Sequence, residues 1–278
     1  MTAIQSLREH WPEYAIEGWA LGMFMVSASA VATLLEYPAS PLHAAVPSPH
    51  TRLAIAGVAM GLTAIALIHS PWGRRSGAHM NPAVTLTFWR LGKIKRWDAV
   101  FYVAAQFIGG TLGVLLMAHL LGAAFTAAPV SYAATQPAPG APMVAFAAEG
   151  LISAGMMFTV LSVSSSPRWA RFTGLCAGLL VALYITFEAP LSGMSMNPAR
   201  TFASAAPGTQ WQYLWLYFTA PVLGMFSAAQ IFVVSQRGPS VPCAKLLHTD
   251  DVRCIHCGHE PAGAMVRPPH RRALRVRS

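Results

Sequence analysis

Apolar positions along this chain gather into six long runs, at 14–36, 52–70, 98–121, 143–164, 172–190 and 211–235. Each holds about 20 residues, and at a rise of about 1.5 Å per residue each reaches across a hydrocarbon core of roughly 30 Å. Two shorter runs, NPAVTLTFWRL (81–91) and NPARTFASAA (197–206), lie between the long ones. A helix of about ten residues covers only about 15 Å, half a bilayer. The pattern divides the chain into a polar N-terminal segment (1–12), an apolar unit (13–236, with halves at about 13–121 and 143–236) and a tail (237–278). The start, MTAIQSLREHWPEY, is polar and lacks a basic-apolar-small-residue order, so no cleaved leader is expected.

Composition agrees with a membrane setting. Charged residues make up 10% of the chain against about 25% in soluble domains, too few to build a solvated surface. A net charge of +9 would suit nucleic acid in a soluble protein, but here its placement argues against that. No Lys or Arg occurs between Arg96 and Arg168 or between Arg200 and Arg237. The basic residues cluster in 71–97, 165–171 and the tail, while the loops 37–51, 122–142 and 191–210 hold only Arg200. Six spans with both termini cytoplasmic place the clusters inside. The expected partner is membrane lipid and not nucleic acid.

The two short runs begin with the same block: SGAHMNPAVT at 76–85 and SGMSMNPART at 192–201. The first copy follows a cytoplasmic loop and the second an external one. Two half-helices entering from opposite sides can meet at the midplane, which is the layout of an inverted repeat. Glu17 and Glu149 occupy corresponding places in the two halves, and an acid inside an apolar run needs a partner. In each block Asn is placed to cap a helix and Pro to start it. The Asn amide then keeps two donors for a cavity. Backbone ahead of each Asn can stay non-helical at membrane depth only where it lines water.

These residues, with AQFIGG at 105–110, resemble the aquaporin or major intrinsic protein family over about residues 12–235. The resemblance implies an all-α membrane protein: six transmembrane helices and two re-entrant half-helices in a right-handed bundle, assembled as a homotetramer with one pore per subunit. It implies that Asn81, Pro82, Ala83, Asn197, Pro198 and Ala199 line the pore centre, and that Glu17 and Glu149 brace the re-entrant loops. Arg200, directly after the second motif, then belongs to an outer selectivity filter. The family's spacing adds Met194 and Ile185, and Met60 with Gly61 as its alternative. This set departs from the water-strict pattern, in which a His stands where Ile185 is. The glycerol-facilitator pattern is not met either, because Thr201 stands where an Asp would follow the Arg. Tyr217-Phe218 before Pro221 looks more like the water-channel side. His79 reads as a loop residue and not a gate.

The expected function is a passive channel for water and small neutral solutes that excludes protons and ions. The alternatives are a glycerol or neutral-solute facilitator with little water selectivity, and an ion-coupled secondary transporter. No nucleophile–base set points to an enzyme, and transport needs no cofactor. A bacterial inner membrane is the expected location. The tail carries VPCAKLLHTDDVRCIHCGHE, with three of the four cysteines. Cys243, His248, Cys254 and Cys257 make the simplest zinc set, with His256 or His259 as substitutes for His248. The competing reading of the tail is a flexible basic segment near anionic lipid. Cys176, alone in a span, reads as core.

Overall fold

The computed structural model describes residues 1–235 and 241–261. Its principal helices are α1 (Ala3–Glu36), α2 (Pro49–His69), α3 (Pro82–Arg90), α4 (Arg96–Leu121), α5 (Pro142–Ser164), α6 (Thr173–Phe187), α7 (Pro198–Ala205) and α8 (Leu214–Ser235). Among the described residues there is no strand, and six helices are long and apolar enough to cross a membrane, α6 together with the turn Ala170–Phe172. Proline opens α2, α3, α5 and α7, where its missing N–H leaves nothing unpaired.

One boundary differs from the sequence expectation. Residues 3–12 are not a separate polar terminus but the first turns of α1. Thr2 and Gln5 form a capping box there. The polar side chains are used: His10 Nδ1 lies 2.8 Å from Asp98, Tyr14 Oη donates to Asp98 (2.6 Å), and Arg75 pairs with the buried Glu13 (3.0 Å). Polarity marked these turns as solvated, whereas partners on α4 and in the segment between α2 and α3 come to them.

The helices pack in pairs that repeat across the two halves. α1 lies along α4 and α5 along α8, while α2 packs on its counterpart α6. The half-helices cross over: α3 packs on α8 of the other half, and α7 on α4. Close crossings depend on glycine. A Cβ at Gly109 would overlap the Gly18 carbonyl in the first half, and one at Gly224 would overlap the Gly150 carbonyl in the second. Small residues thus set the helix approach, as expected where lipid supplies no hydrophobic drive between helices. Large apolar side chains such as Leu151 (73% exposed) and Phe187 (74%) point outward, which suits a lipid solvent.

Candidate functional site: two loops meeting at a cavity

Each half-helix is preceded by a short stretch of unusual backbone. Gly77, Ala78 and Met80 have φ of 106°, 52° and 49°; Gly193, Met194 and Met196 have 79°, 49° and 54°. Left-handed conformation is strained for residues with a Cβ and persists only where the surroundings enforce it. Glu17 enforces it in the first half, accepting from Ser76 Oγ (2.8 Å), His79 N (3.0 Å) and Met80 N (2.8 Å). Glu149 does the same in the second, accepting from Ser192 Oγ (2.8 Å), Ser195 N (2.7 Å) and Met196 N (2.7 Å). Both acids are fully buried.

The two loops meet through the asparagines. Asn81 Oδ1 accepts from Ala83 N (2.8 Å), and Asn197 Oδ1 accepts from Ala199 N (3.1 Å) and Arg200 N (3.2 Å). Asn81 Nδ2 donates to the Met196 carbonyl, and Asn197 Nδ2 to the Met80 carbonyl, both at 2.7 Å. Each amide therefore crosses to the other half. Two donors per Asn were expected to face the cavity; the cross-bond uses one, so one remains. Pro82, Ala83, Pro198 and Ala199 are buried behind the asparagines in the first turns of α3 and α7.

A cavity of about 290 Å³ passes this junction. Asn81, Asn197, Met60, Ile185, Met194 and Arg200 all line it. Gly61 instead faces α6, where a Cβ would come 2.5 Å from the Gly178 carbonyl. Arg200 Nη1 is buried without a hydrogen-bond partner among the described residues. The three other residues expected beside it, Met60, Ile185 and Met194, offer only apolar or thioether side chains.

Several residues support the loops in ways the sequence did not indicate: Tyr217, Thr201 and Gln106 were noted only for the family resemblance, and Tyr102 and Thr85 were given no role. Tyr102 Oη donates to the Ser76 carbonyl (2.8 Å), and Tyr217 Oη donates to the Ser192 carbonyl. Gln106 Nε2 reaches both Glu17 (2.9 Å) and Thr85 (3.1 Å). Thr201, the counterpart of Thr85, bonds Ser195 (2.6 Å) and Thr135 (2.9 Å). A signal existed: each Tyr follows its Asn by the same distance to within one residue. His79 is buried and stacked on Phe88. Its Nδ1 lies 3.1 Å from Thr85 Oγ1, and its Nε2 lies 2.7 Å from the Ala244 carbonyl, which fixes the proton on Nε2 because a carbonyl only accepts.

The tail forms a second cluster. The ligand atoms of Cys243, His248, Cys254 and Cys257 all lie within 4.8 Å of one another. Cys243 and Cys254 sulfurs are 3.4 Å apart, and His248 Nε2 is 3.2 Å from Cys257 Sγ. Sulfurs on a tetrahedral zinc with Zn–S of about 2.3 Å stand about 3.8 Å apart, so small shifts would seat the ion. A hydrogen bond from the Cys243 thiol, opposed by burial and aided by the Cys257 N–H and the Lys245 charge, lowers the Cys254 thiol to about 4. The same bond, together with burial, pushes Cys243 up. His256 and His259 turn elsewhere: His256 Nε2 faces Ser76 O and Tyr102 Oη, and His259 Nε2 faces Asp250 O. Cys176 is a half-buried free thiol in α6, apart from this group.

Six spans built from two oppositely oriented halves, with half-helices joined at their starts, define a membrane protein of inverted-repeat architecture. Residues 6–232 match the family model "Major intrinsic protein", and the chain belongs to that family. It is 36% identical over 176 residues to aquaporin NIP2-3 of Zea mays (63% of this chain, 56% of the relative). It is 35% identical over 189 residues to aquaporin NIP2-2 of Zea mays (68% and 62%). It is 37% identical over 183 residues to the probable aquaporin AqpM of Archaeoglobus fulgidus (63% and 74%). The chain thus spans little more than half the length of the Zea mays relatives. The fold is shared with the aquaglyceroporin from Plasmodium falciparum, at a TM-score of 0.63 and 21% identity over 80% of this chain and 94% of that one. The Cys/His cluster lies beyond the family match.

Proposed function

We propose that this chain is a passive transmembrane channel for water and small neutral solutes that excludes protons and ions. The carrying observation is the exchange of Asn81 and Asn197 amides between the two halves beside a cavity that both residues line. Each Asn keeps one N–H to hold a passing oxygen, and α3 and α7 bring the positive ends of their dipoles to the same point. A water held there by its oxygen has its hydrogens turned outward, which interrupts proton relay, and a cation meets a positive field. Arg200 repeats the barrier at the filter and offers an unpartnered donor. No nucleophile–base pair is required for any of this.

The apolar filter favours a broad solute range. Met60, Ile185 and Met194 leave Arg200 as the single polar group of the constriction, so a solute with a carbon face and an oxygen fits both sides. Stopped-flow light scattering on proteoliposomes tests both points. Shrinkage in an impermeant osmolyte reads water, and re-swelling in glycerol reads the solute. Fast flux in both assays from protein freed of bound metal, with glycerol selectively curbed by Ile185→His, is the expected result. Water flux at the lipid background would sink the channel reading. Flux that needs a proton or sodium gradient would favour a secondary transporter.

Charge placement supports cytoplasmic termini, since the basic loops lie on the side of both ends. We read the host membrane as a bacterial inner membrane and the assembly as a homotetramer, so particles in detergent should contain four chains of 29.7 kDa. The tail cluster has the donor set of a structural zinc site, three thiolates and an imidazole. Zinc would serve there as a clamp on the tail and take no part in permeation chemistry; about one zinc per purified chain is expected by elemental analysis.

A further inference from the structure

The tail does not lie apart from the channel. Leu246 lines the same cavity as Asn81, Asn197 and Arg200. It stands with Ile68 and His79 at the end nearest the termini, opposite Glu36 and Leu53. Its N–H donates to the Gly77 carbonyl (3.2 Å), and the neighbouring Ala244 carbonyl accepts from His79 Nε2 (2.7 Å). Lys245 packs over Gly77, where a Cβ would come 3.1 Å from its Cγ. Its ammonium donates to the Arg253 carbonyl (2.8 Å). Ala244, Leu246 and Leu247 join the hydrophobic core of the channel unit, while Ile255 packs on Tyr14 and Tyr102. An Arg74–Asp251 ion pair (3.1 Å) closes the edge.

The ligand cluster brackets this seat. Cys243 comes immediately before the docked residues and His248 immediately after, with Cys254 and Cys257 on the returning chain. Residues 241–261 contain no helix or strand. So short an irregular segment has no regular structure of its own and rests on these contacts, to which four ligands on one ion would add a clamp.

Resting on the channel and zinc readings above, we propose that metal binding at Cys243, His248, Cys254 and Cys257 holds Leu246 in the termini-side mouth as a plug. The metal-loaded chain is closed and the metal-depleted chain conducts. The ligand is a divalent zinc-like cation, and the signal is its availability on the side of the termini.

The test uses the full chain in proteoliposomes, with zinc content, water permeability and amide hydrogen exchange measured before and after a membrane-permeant zinc chelator. Wild-type protein should hold about one zinc per chain. Chelation should raise water permeability about tenfold, the change expected if a plug seated about 90% of the time is released. The Leu246 amide should be protected with zinc and exchange freely without it. Leu246→Ala should keep its zinc, conduct like chelated wild type and ignore the chelator. Cys257→Ser should lose zinc and conduct likewise. Equal permeability of loaded, chelated and Leu246→Ala protein, with zinc present and flux well above lipid, would overturn the plug and leave the channel and metal site standing. Zinc near zero would remove the metal clamp. Flux at the lipid background in every variant would remove the channel itself.

Discussion

Ala78, Met80, Met194 and Met196 hold left-handed backbone that costs of order 1–3 kcal/mol at each residue. Glu17 and Glu149 offset that strain with hydrogen bonds to the loop N–H groups. Glu149→Gln exchanges one acceptor oxygen for a donor that faces donors. Charged hydrogen bonds are worth about 1.5–3 kcal/mol each, so a clear fall in thermal stability is expected, with water flux falling too. An unchanged melting temperature would show that the loop keeps its shape by other means. Arg200 is a different case because the proposed function gives it a role in the field and not in the fold. Arg200→Val should fold normally and raise cation or proton leak in a pH-dye liposome assay. Undiminished ion exclusion in that variant would count against the filter role.

At the scale of elements, α3 and α7 are eight or nine residues long because only half the membrane is theirs to cross. Their starts are specified locally by Asn and Pro, and their directions by packing on α8 and α4 of the opposite half. The α5–α8 crossing depends on a one-sided glycine contact. Gly224→Ala drives a methyl into the Gly150 carbonyl, whereas Gly150→Ala meets nothing nearer than the Ala220 carbonyl at 3.8 Å. Overpacking costs about 1–3 kcal/mol, so Gly224→Ala should lower the yield and melting temperature of the purified protein while Gly150→Ala should not. Equal behaviour of the two variants would mean that α5 and α8 can separate freely.

For the whole molecule, the decisive bonds are the two that join its halves. Replacing Asn81 and Asn197 together with Ala removes both cross-bonds and both helix caps. The double variant should lose water permeability or fail to assemble, as read by stopped-flow and size-exclusion with light scattering. A fully active double variant would undo the account of the channel centre. The approximate twofold relation also explains the paired tyrosines Tyr102 and Tyr217, each bonded to the carbonyl of the Ser that opens its loop.

The sequence by itself determined the spans, the half-helices, the repeated Asn-Pro-Ala starts and the paired acids, because hydropathy runs, helix caps and repeats are local properties. It also picked out the Cys and His residues that gather in the tail, since their spacing is read along one short stretch. Tertiary structure alone decided the rest. The first turns of α1 are polar, yet they are helical and paired because Asp98 and Arg75 come to them from far along the chain. Gln106 became part of the first loop because α4 carries it to Glu17. One donor of each Asn was spent on the other half, which no single half could reveal. The seating of Leu246 depends on a bond between Ala244 and His79, 165 residues apart. Contacts of that reach leave no period or spacing in the chain, and they exist only once packing has brought the two segments together.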